Sequence, residues 1–163
     1  MISPDELTNA TKAVQNENKK FFQKIRQKKP RQLDSTIQEI HEEVFAEYNC
    51  LTCANCCKTI SPIVKMRDIE RIAKHLRMTT TQFIDKYLYL DEDEDYVFKS
   101  TPCPFLDSEN YCLIYEQRPD ACKGYPHTDT HKTLKLLNII EKNVAVCPAT
   151  YHIIENLKTQ LKL

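Results

Sequence analysis

Eight cysteines carry the chemistry that this 163-residue sequence can offer. Four of them form the run Cys50-x2-Cys53-x2-Cys56-Cys57, and the others are Cys103, Cys112, Cys122 and Cys147. A thiolate is a soft anionic ligand, suited to zinc and to iron–sulfur clusters. Two cysteines separated by two residues can meet one metal because a tight turn brings their sulfurs together. Three at that spacing resemble the run that wraps a cubane cluster, with the fourth ligand supplied from elsewhere. Adjacent Cys56 and Cys57 are harder to place on one ion, since neighbouring side chains diverge. Eight thiols match two four-cysteine sites by arithmetic alone, and one centre with spare thiols fits the count as well. All eight therefore stand as candidate ligands, for a [4Fe–4S] cluster or for zinc. The competing readings are buried, inert thiols, most readily Cys56 or Cys57, and disulfides.

Composition narrows the field. The polar, acidic start Met1-Ile2-Ser3-Pro4-Asp5-Glu6 lacks the basic and apolar stretches of a secretory signal. A cytoplasmic location is therefore expected, where thiols stay reduced and dense cysteines serve as ligands or redox groups. The single glycine, Gly124, excludes Gly-rich phosphate loops and the dinucleotide fingerprint. The balance of 23 basic and 23 acidic residues argues against a nucleic-acid partner. No apolar run approaches the roughly 18 residues of a membrane span. Pro102 and Pro104 flank Cys103, Pro119 lies three residues before Cys122, and Pro148 follows Cys147. Proline stiffens a loop without needing a ladder partner, so a sulfur is presented with less entropy lost.

The elements that must position these sulfurs read as helices. Residues 4–29 carry a loose stripe of Leu7, Ala10, Val14, Phe21, Phe22 and Ile25, weak between Val14 and Phe21, and Pro30 ends it. Residues 33–48 carry Leu33, Ile37, Ile40, Val44, Phe45 and Tyr48 at three- and four-residue steps, with Ser35 and Gln38 as a capping box. Residues 66–76 form a third helix, and a fourth runs from a Thr79 or Thr80 cap through Leu88. Asp91 to Asp95 is an acidic connector, and Tyr96-Val97-Phe98 a short strand. Residues 103–126 read as turns, and 134–140 and 151–161 as closing helices. The expected fold is mainly α: a small helical domain around a loop-rich cysteine centre, with little sheet. Residues 1–48 read as an N-terminal helical extension and 49–163 as the cysteine domain.

The ordered strings Cys50-Leu-Thr-Cys53-Ala-Asn-Cys56-Cys57, Asp68-Ile69-Glu70-Arg71-Ile72-Ala73, Cys103-Pro104-Phe105-Leu106, Cys112 to Pro119 and Cys122-Lys123-Gly124-Tyr125-Pro126 give the chain a resemblance. It resembles the CxxCxxCC (YkgJ-type) cysteine-cluster family, whose members are described as zinc- or iron-chelating proteins, over about residues 48–150. The family often has Gly where Ala54 stands and Arg where Lys123 stands; the first departure bears on the tightness of the turn, the second on a bidentate contact. The resemblance implies a metal-binding domain and supplies no reaction.

Other residues carry two readings each. His127 and His131 are a solvated polar pair, or ligands beside Cys122. His41, His75 and His152 are surface or interfacial helix residues. Arg118 donates to sulfurs, to loop carbonyls or to an anionic partner, or it braces the loop through an ion pair. Asp68 caps its helix. Tyr111, Tyr115 and Tyr125 pack around the site. The basic run from Lys19 to Arg31 reads as a solvated face. Three functions compete: a metal-binding protein that stores, delivers, senses or is stapled by its ion; an iron–sulfur redox or accessory protein supporting a protein-modification enzyme; and a thiol redox enzyme using Cys53 and Cys56. The last lacks the alternating βαβ pattern of a thioredoxin-like scaffold. Whether the chain is an enzyme stays open at this point, and a protein partner is compatible with the first two.

Overall fold

Ser3 starts the first helix, α1 (Pro4–Lys28): its hydroxyl accepts from the Glu6 N–H, the Glu6 carboxylate accepts from the Ser3 N–H, and Pro4 occupies the first turn. The structure, a computed structural model, describes residues 2–163. The weak stretch of the α1 stripe is filled by Asn18, which is buried between Val14 and Phe21 and so completes the buried face with a polar residue. Helix α2 (Leu33–Glu47) buries Leu33, Ile37, Ile40 and Val44, as its periodicity requires. The expected Ser35–Gln38 capping box does not form. The helix already begins at Leu33, so Ser35 lies inside its first turn and donates to the Gln32 carbonyl at 3.0 Å.

Four more helices precede the hairpin: α3 (Cys50–Cys53), α4 (Asn55–Thr59), α5 (Met66–His75) and α6 (Thr80–Tyr87). Thr79 and Gln82 make the capping box of α6. That helix stops one residue earlier than its apolar spacing suggests, because Leu88 opens strand β1 (Leu88–Leu90), which pairs antiparallel with β2 (Tyr96–Phe98). The register is Leu88 to Phe98, Tyr89 to Val97 and Leu90 to Tyr96. The acidic connector is the turn of this hairpin: Asp91 Oδ1 accepts from the N–H groups of Asp93 and Asp95 at 3.0 and 2.9 Å. A 3₁₀ turn (Tyr115–Gln117) and α7 (Asp120–Lys123) follow, then α8 (Thr133–Asn143) and α9 (Pro148–Leu161). The fold is mainly α with one two-stranded sheet.

The chain packs as two compact units, Met1–Cys53 with Pro126–Leu163, and Ala54–Tyr125. In the first, α1 and α2 pack with α8 and α9, burying Phe22, Ile25, Ile37, Ile40, Ile153 and Leu157. Asp34 of α2 accepts from the Thr133 N–H at 3.0 Å and so satisfies a donor at the start of α8. In the second, Val64, Ile69, Ile72, Phe83, Leu88, Phe98, Phe105 and Ile114 form one core, with Cys103 and Cys112 packed against it. The division at residue 48 follows cysteine content, whereas these units follow packing. Among the described residues, no helix is long and apolar enough to cross a membrane.

The lone glycine sits at φ −84°, where any residue fits. The left-handed positions are instead held by Lys29, Ala54, Arg77, Glu94, Asn110, His127 and Lys162. Ala54, at φ 48° and ψ 20°, precedes α4 and is buried, so the tight turn of the cysteine run is made without the glycine that suits it. Ala54→Gly is expected to stabilise the reduced protein by about 0.5–1 kcal/mol, relief of the Cβ clash outweighing the added freedom of the unfolded chain. The urea midpoint measures this, and an unchanged or lower midpoint would show that the alanine turn costs nothing.

Candidate metal centre

Two strings of identical design place two of the sulfurs. In Cys103-Pro104-Phe105 the third residue is buried in the core, 5.7 Å from the Phe98 ring and 4.9 Å from the Tyr87 ring. In Cys112-Leu113-Ile114 the third residue is buried in the same core while Leu113 is exposed. The anchored residue turns its backbone N–H toward the sulfur two positions before it: the Phe105 N–H favours the Cys103 thiolate, and the Ile114 N–H the Cys112 thiolate. Each string closes with a turn, Leu106 N–H to Cys103 O and Tyr115 N–H to Cys112 O, both at 3.1 Å. Leu106 bridges Cys112, and the Leu113 N–H donates to Phe105 O at 2.8 Å, so the two turns are tied together as a hairpin.

Cys57 and Cys122 complete the group. The Cys103 N–H donates to Cys57 O at 2.8 Å. Cys122 lies in α7, within electrostatic reach of Cys57, Cys103 and Cys112. Burial pushes the Cys122 thiol up to about 12, and the three other thiols push in the same direction. Burial likewise raises Cys103 to about 11 and raises Cys112. Cys57 runs the other way, to about 7, because Cys56 hydrogen-bonds its sulfur, with Lys58 adding a smaller pull. The Cys56 and Cys57 sulfurs are 4.0 Å apart.

Four thiols from separate turns, three of them held in their protonated forms by burial, are a donor set that a cation would relieve. Among the described residues, no three His, Cys, Asp or Glu side chains are already closed to ligand geometry around one point. The fit therefore rests on donor type and on convergence of the four thiols: sulfur ligands with N–H donors aimed at two of them match a thiolate ion site.

A buried carboxylate fixes the loop that carries Cys112 and Cys122. Asp68, fully buried, accepts from the Lys65 N–H at 3.1 Å, from the Arg71 guanidinium at 2.6 Å and from the Asp120 N–H at 3.3 Å. Arg71 also donates to the carbonyls of Gln117 and Arg118, at 3.4 and 3.0 Å. Asp68 thus caps α5, as expected, and in addition ties that helix to the turn before α7. Asp120 is paired with Arg67 and Arg71, and Lys123 stands 3.9 Å from it. The lysine makes this ion pair in place of the bidentate contact an arginine would offer.

Of the remaining cysteines, Cys56 lies in the second unit beside Cys57, and Cys50, Cys53 and Cys147 lie in the first. One turn, α3, carries Cys50 and Cys53, and Cys147 is the cap residue of α9. Tyr48, just past α2, was missed as a site residue because its spacing marks it as core; its hydroxyl faces Cys53, with Cys147 and Cys50 nearby. No disulfide links any of the eight cysteines. His127 is half-buried, with its imidazole lowered by burial, and His131 is exposed. His41 Nδ1 lies 2.8 Å from the Thr128 hydroxyl, and His152 accepts from the Ile2 N–H at 3.0 Å. Arg118 stacks on the Tyr115 ring at 3.7 Å and donates to the Tyr115 carbonyl, so the loop-carbonyl reading holds. Tyr111 and Tyr115 do not pack around the site. They are 52% and 57% exposed, because the residues that the hairpin sends inward are Phe105 and Ile114.

A family model described as "Putative zinc- or iron-chelating domain" matches residues 49–148, more than half of the chain. The chain belongs to the CxxCxxCC family. The matched span contains all eight cysteines and the Asp68–Arg71 brace, so both parts of the family string pattern have a place in the geometry described. No curated protein and no solved structure matched. The CxxCxxCC domain is thus a zinc- or iron-chelating type by family, and the arrangement of its thiols must supply the rest.

Proposed function

We propose that the protein chelates a single zinc or iron ion through Cys57, Cys103, Cys112 and Cys122. The observation that carries this reading is the convergence of four thiols from separate turns in one unit, two of them served by anchored N–H donors two residues further on. A thiolate-bound ion would supply folding free energy to a loop-rich segment and, if iron, one-electron chemistry. The chain's own residues do the rest. Phe105 and Ile114 hold two donors in the core, Asp68 and Arg71 hold the turn that leads into Cys122, and Arg118 places positive charge near Cys112 and Cys122. Binding at such a site releases the protons that burial keeps on these thiols. The reading assumes a reducing compartment such as the cytoplasm.

Elemental analysis with absorption spectroscopy on protein purified without air tests it. The expected result is a colourless zinc protein, or an iron protein without acid-labile sulfide. A brown preparation with acid-labile sulfide would assign a cluster instead and revive the redox or accessory role. Absence of bound zinc and iron from anaerobically purified protein would end the chelation reading.

A further inference from the structure

Charge is distributed unevenly along this neutral chain. From Lys19 to Arg31 there are seven basic residues and no acidic one, so the remainder of the chain is acidic by the same amount. Net charge is therefore a poor guide to this surface, and the distribution is the better one. The run occupies the C-terminal half of α1 and the turn after it, and it buries Phe21, Phe22 and Ile25. Its exposed helical positions are Lys19, Lys20, Gln23, Lys24, Gln27 and Lys28. At four-residue steps these make two adjacent rows, one of Lys20, Lys24 and Lys28, the other of Lys19, Gln23 and Gln27. Lys29 and Arg31, both exposed, follow directly. Among the described residues, the side chains of Lys19, Lys20, Lys28, Lys29 and Arg31 have no ion-pair partner. The acids beside them are already taken: Glu17 pairs with Lys158 at 2.9 Å and Glu141 with Arg26 at 2.5 Å. Like charges four residues apart weaken a helix, so the row of three lysines works against the element that carries it. The helix dipole favours bases in the last turn, which covers Arg26 and Lys28 but not Lys19 and Lys20.

We propose that this face of α1 binds the phosphate backbone of a nucleic-acid duplex without reading its sequence. Charge sets the class of partner, and the rest of the face selects the duplex. Its helical part exposes only lysine and glutamine, side chains that donate to phosphate oxygens. A membrane surface takes a basic helix by burying its apolar flank in lipid, whereas here that flank is buried in the protein. A protein interface has a core rich in aromatic residues and poor in lysine, the reverse of this composition. A single strand is held by stacking its bases on aromatic rings, and the run exposes none. A duplex needs no such platform. It carries about one negative charge per 1.7 Å of its axis, so a lysine row stepping about 6 Å meets phosphates wherever it lies. The face lies in the first unit and shares no residue with the four-thiol centre.

The test is fluorescence anisotropy of a labelled duplex of about 20 base pairs, titrated with the full-length reduced protein over a range of salt. The logarithm of the binding constant is expected to fall linearly with that of the salt concentration, with a slope of about −4 to −5 from the five unpaired bases. Lys20→Glu/Lys28→Glu is expected to weaken binding about tenfold or more at low salt, and Lys20→Gln/Lys28→Gln to reduce the slope by about 2. Glutamine is a good helix former, so the second pair reads charge and not folding. Lys74→Glu/Lys86→Glu makes the same change in net charge at exposed positions of the second unit, and is expected to bind as the unsubstituted protein does. Absence of duplex binding at about 50 mM salt would overturn the inference, as would equal losses in the two glutamate pairs or an unchanged slope in the glutamine pair. So would tighter binding to a single strand of the same length, to phosphatidylserine vesicles or to poly-glutamate, each of which would give the face to another partner.

Discussion

Cys122→Ser is expected to lower the affinity of the four-thiol centre by on the order of a hundredfold, and to cost the protein one equivalent of metal on purification. The magnitude follows from sharing a structural zinc free energy of about 10–16 kcal/mol among four ligands, roughly 3 kcal/mol or two decades each. Cys122 is the most demanding of the four, because it is half-buried and has Cys57, Cys103 and Cys112 together within electrostatic reach. Metal content by elemental analysis and competition with a chelator measure the effect, and a variant with full content and parental affinity would remove Cys122 from the site. The same environment sets a pH dependence for the metal-free protein. The Cys122 thiol is raised from 9.0 to about 12 on folding, so the folded state holds its proton more tightly than the unfolded chain does. That contribution is fully present below pH 9 and is lost as pH rises toward about 12. Loading with metal replaces the protons and should flatten this alkaline loss, as melting curves taken with and without metal will show.

Asp68→Ala is expected to destabilise the second unit by about 3 kcal/mol, the lower end for breaking a buried ion pair, since Arg71 is partly exposed. The substitution leaves the Lys65 and Asp120 N–H groups without their acceptor and the Arg71 guanidinium without its closest one. Asp120→Ala is the control. Its carboxylate is 37% exposed and pairs with Arg67 at the surface, so its loss should cost about 1 kcal/mol or less. Urea unfolding compares the two. Equal costs would show that the buried carboxylate adds nothing beyond a surface pair. Because the brace holds the turn before α7, chelator competition should also show faster metal loss in Asp68→Ala than in Asp120→Ala.

Much of this was legible in the sequence, though unevenly. The α2 stripe predicted its buried face residue by residue, because apolar periodicity reports burial directly. The α1 stripe was less clear because Asn18 occupies a core position, and hydropathy cannot see a buried amide. Strand β1 escaped notice: Leu88-Tyr89-Leu90 follows a helix without a break, and its pairing partner lies across the Asp91 turn. The cysteines were identifiable by type and number, yet spacing could not sort them. The proposed centre groups Cys57 with Cys103, Cys112 and Cys122, while Cys50 and Cys53 share a turn near Tyr48. A usable signal was present in the apolar residue two positions after Cys103 and Cys112, which anchors each turn. The cap made by Asp68 was legible, but its tie to the turn before α7 was not, since carboxylates are rarely fully buried and only the fold shows where one is.

The backbone reversals at Ala54 and Asn110, just ahead of Cys56–Cys57 and of Cys112, are made by residues with side chains. Such positions have fewer alternative conformations than glycine would give them, so the loops relax little once folded. Sulfurs mounted on such reversals move only with the turns that carry them. Gathering the four donors around an ion would therefore shift whole loops rather than single side chains.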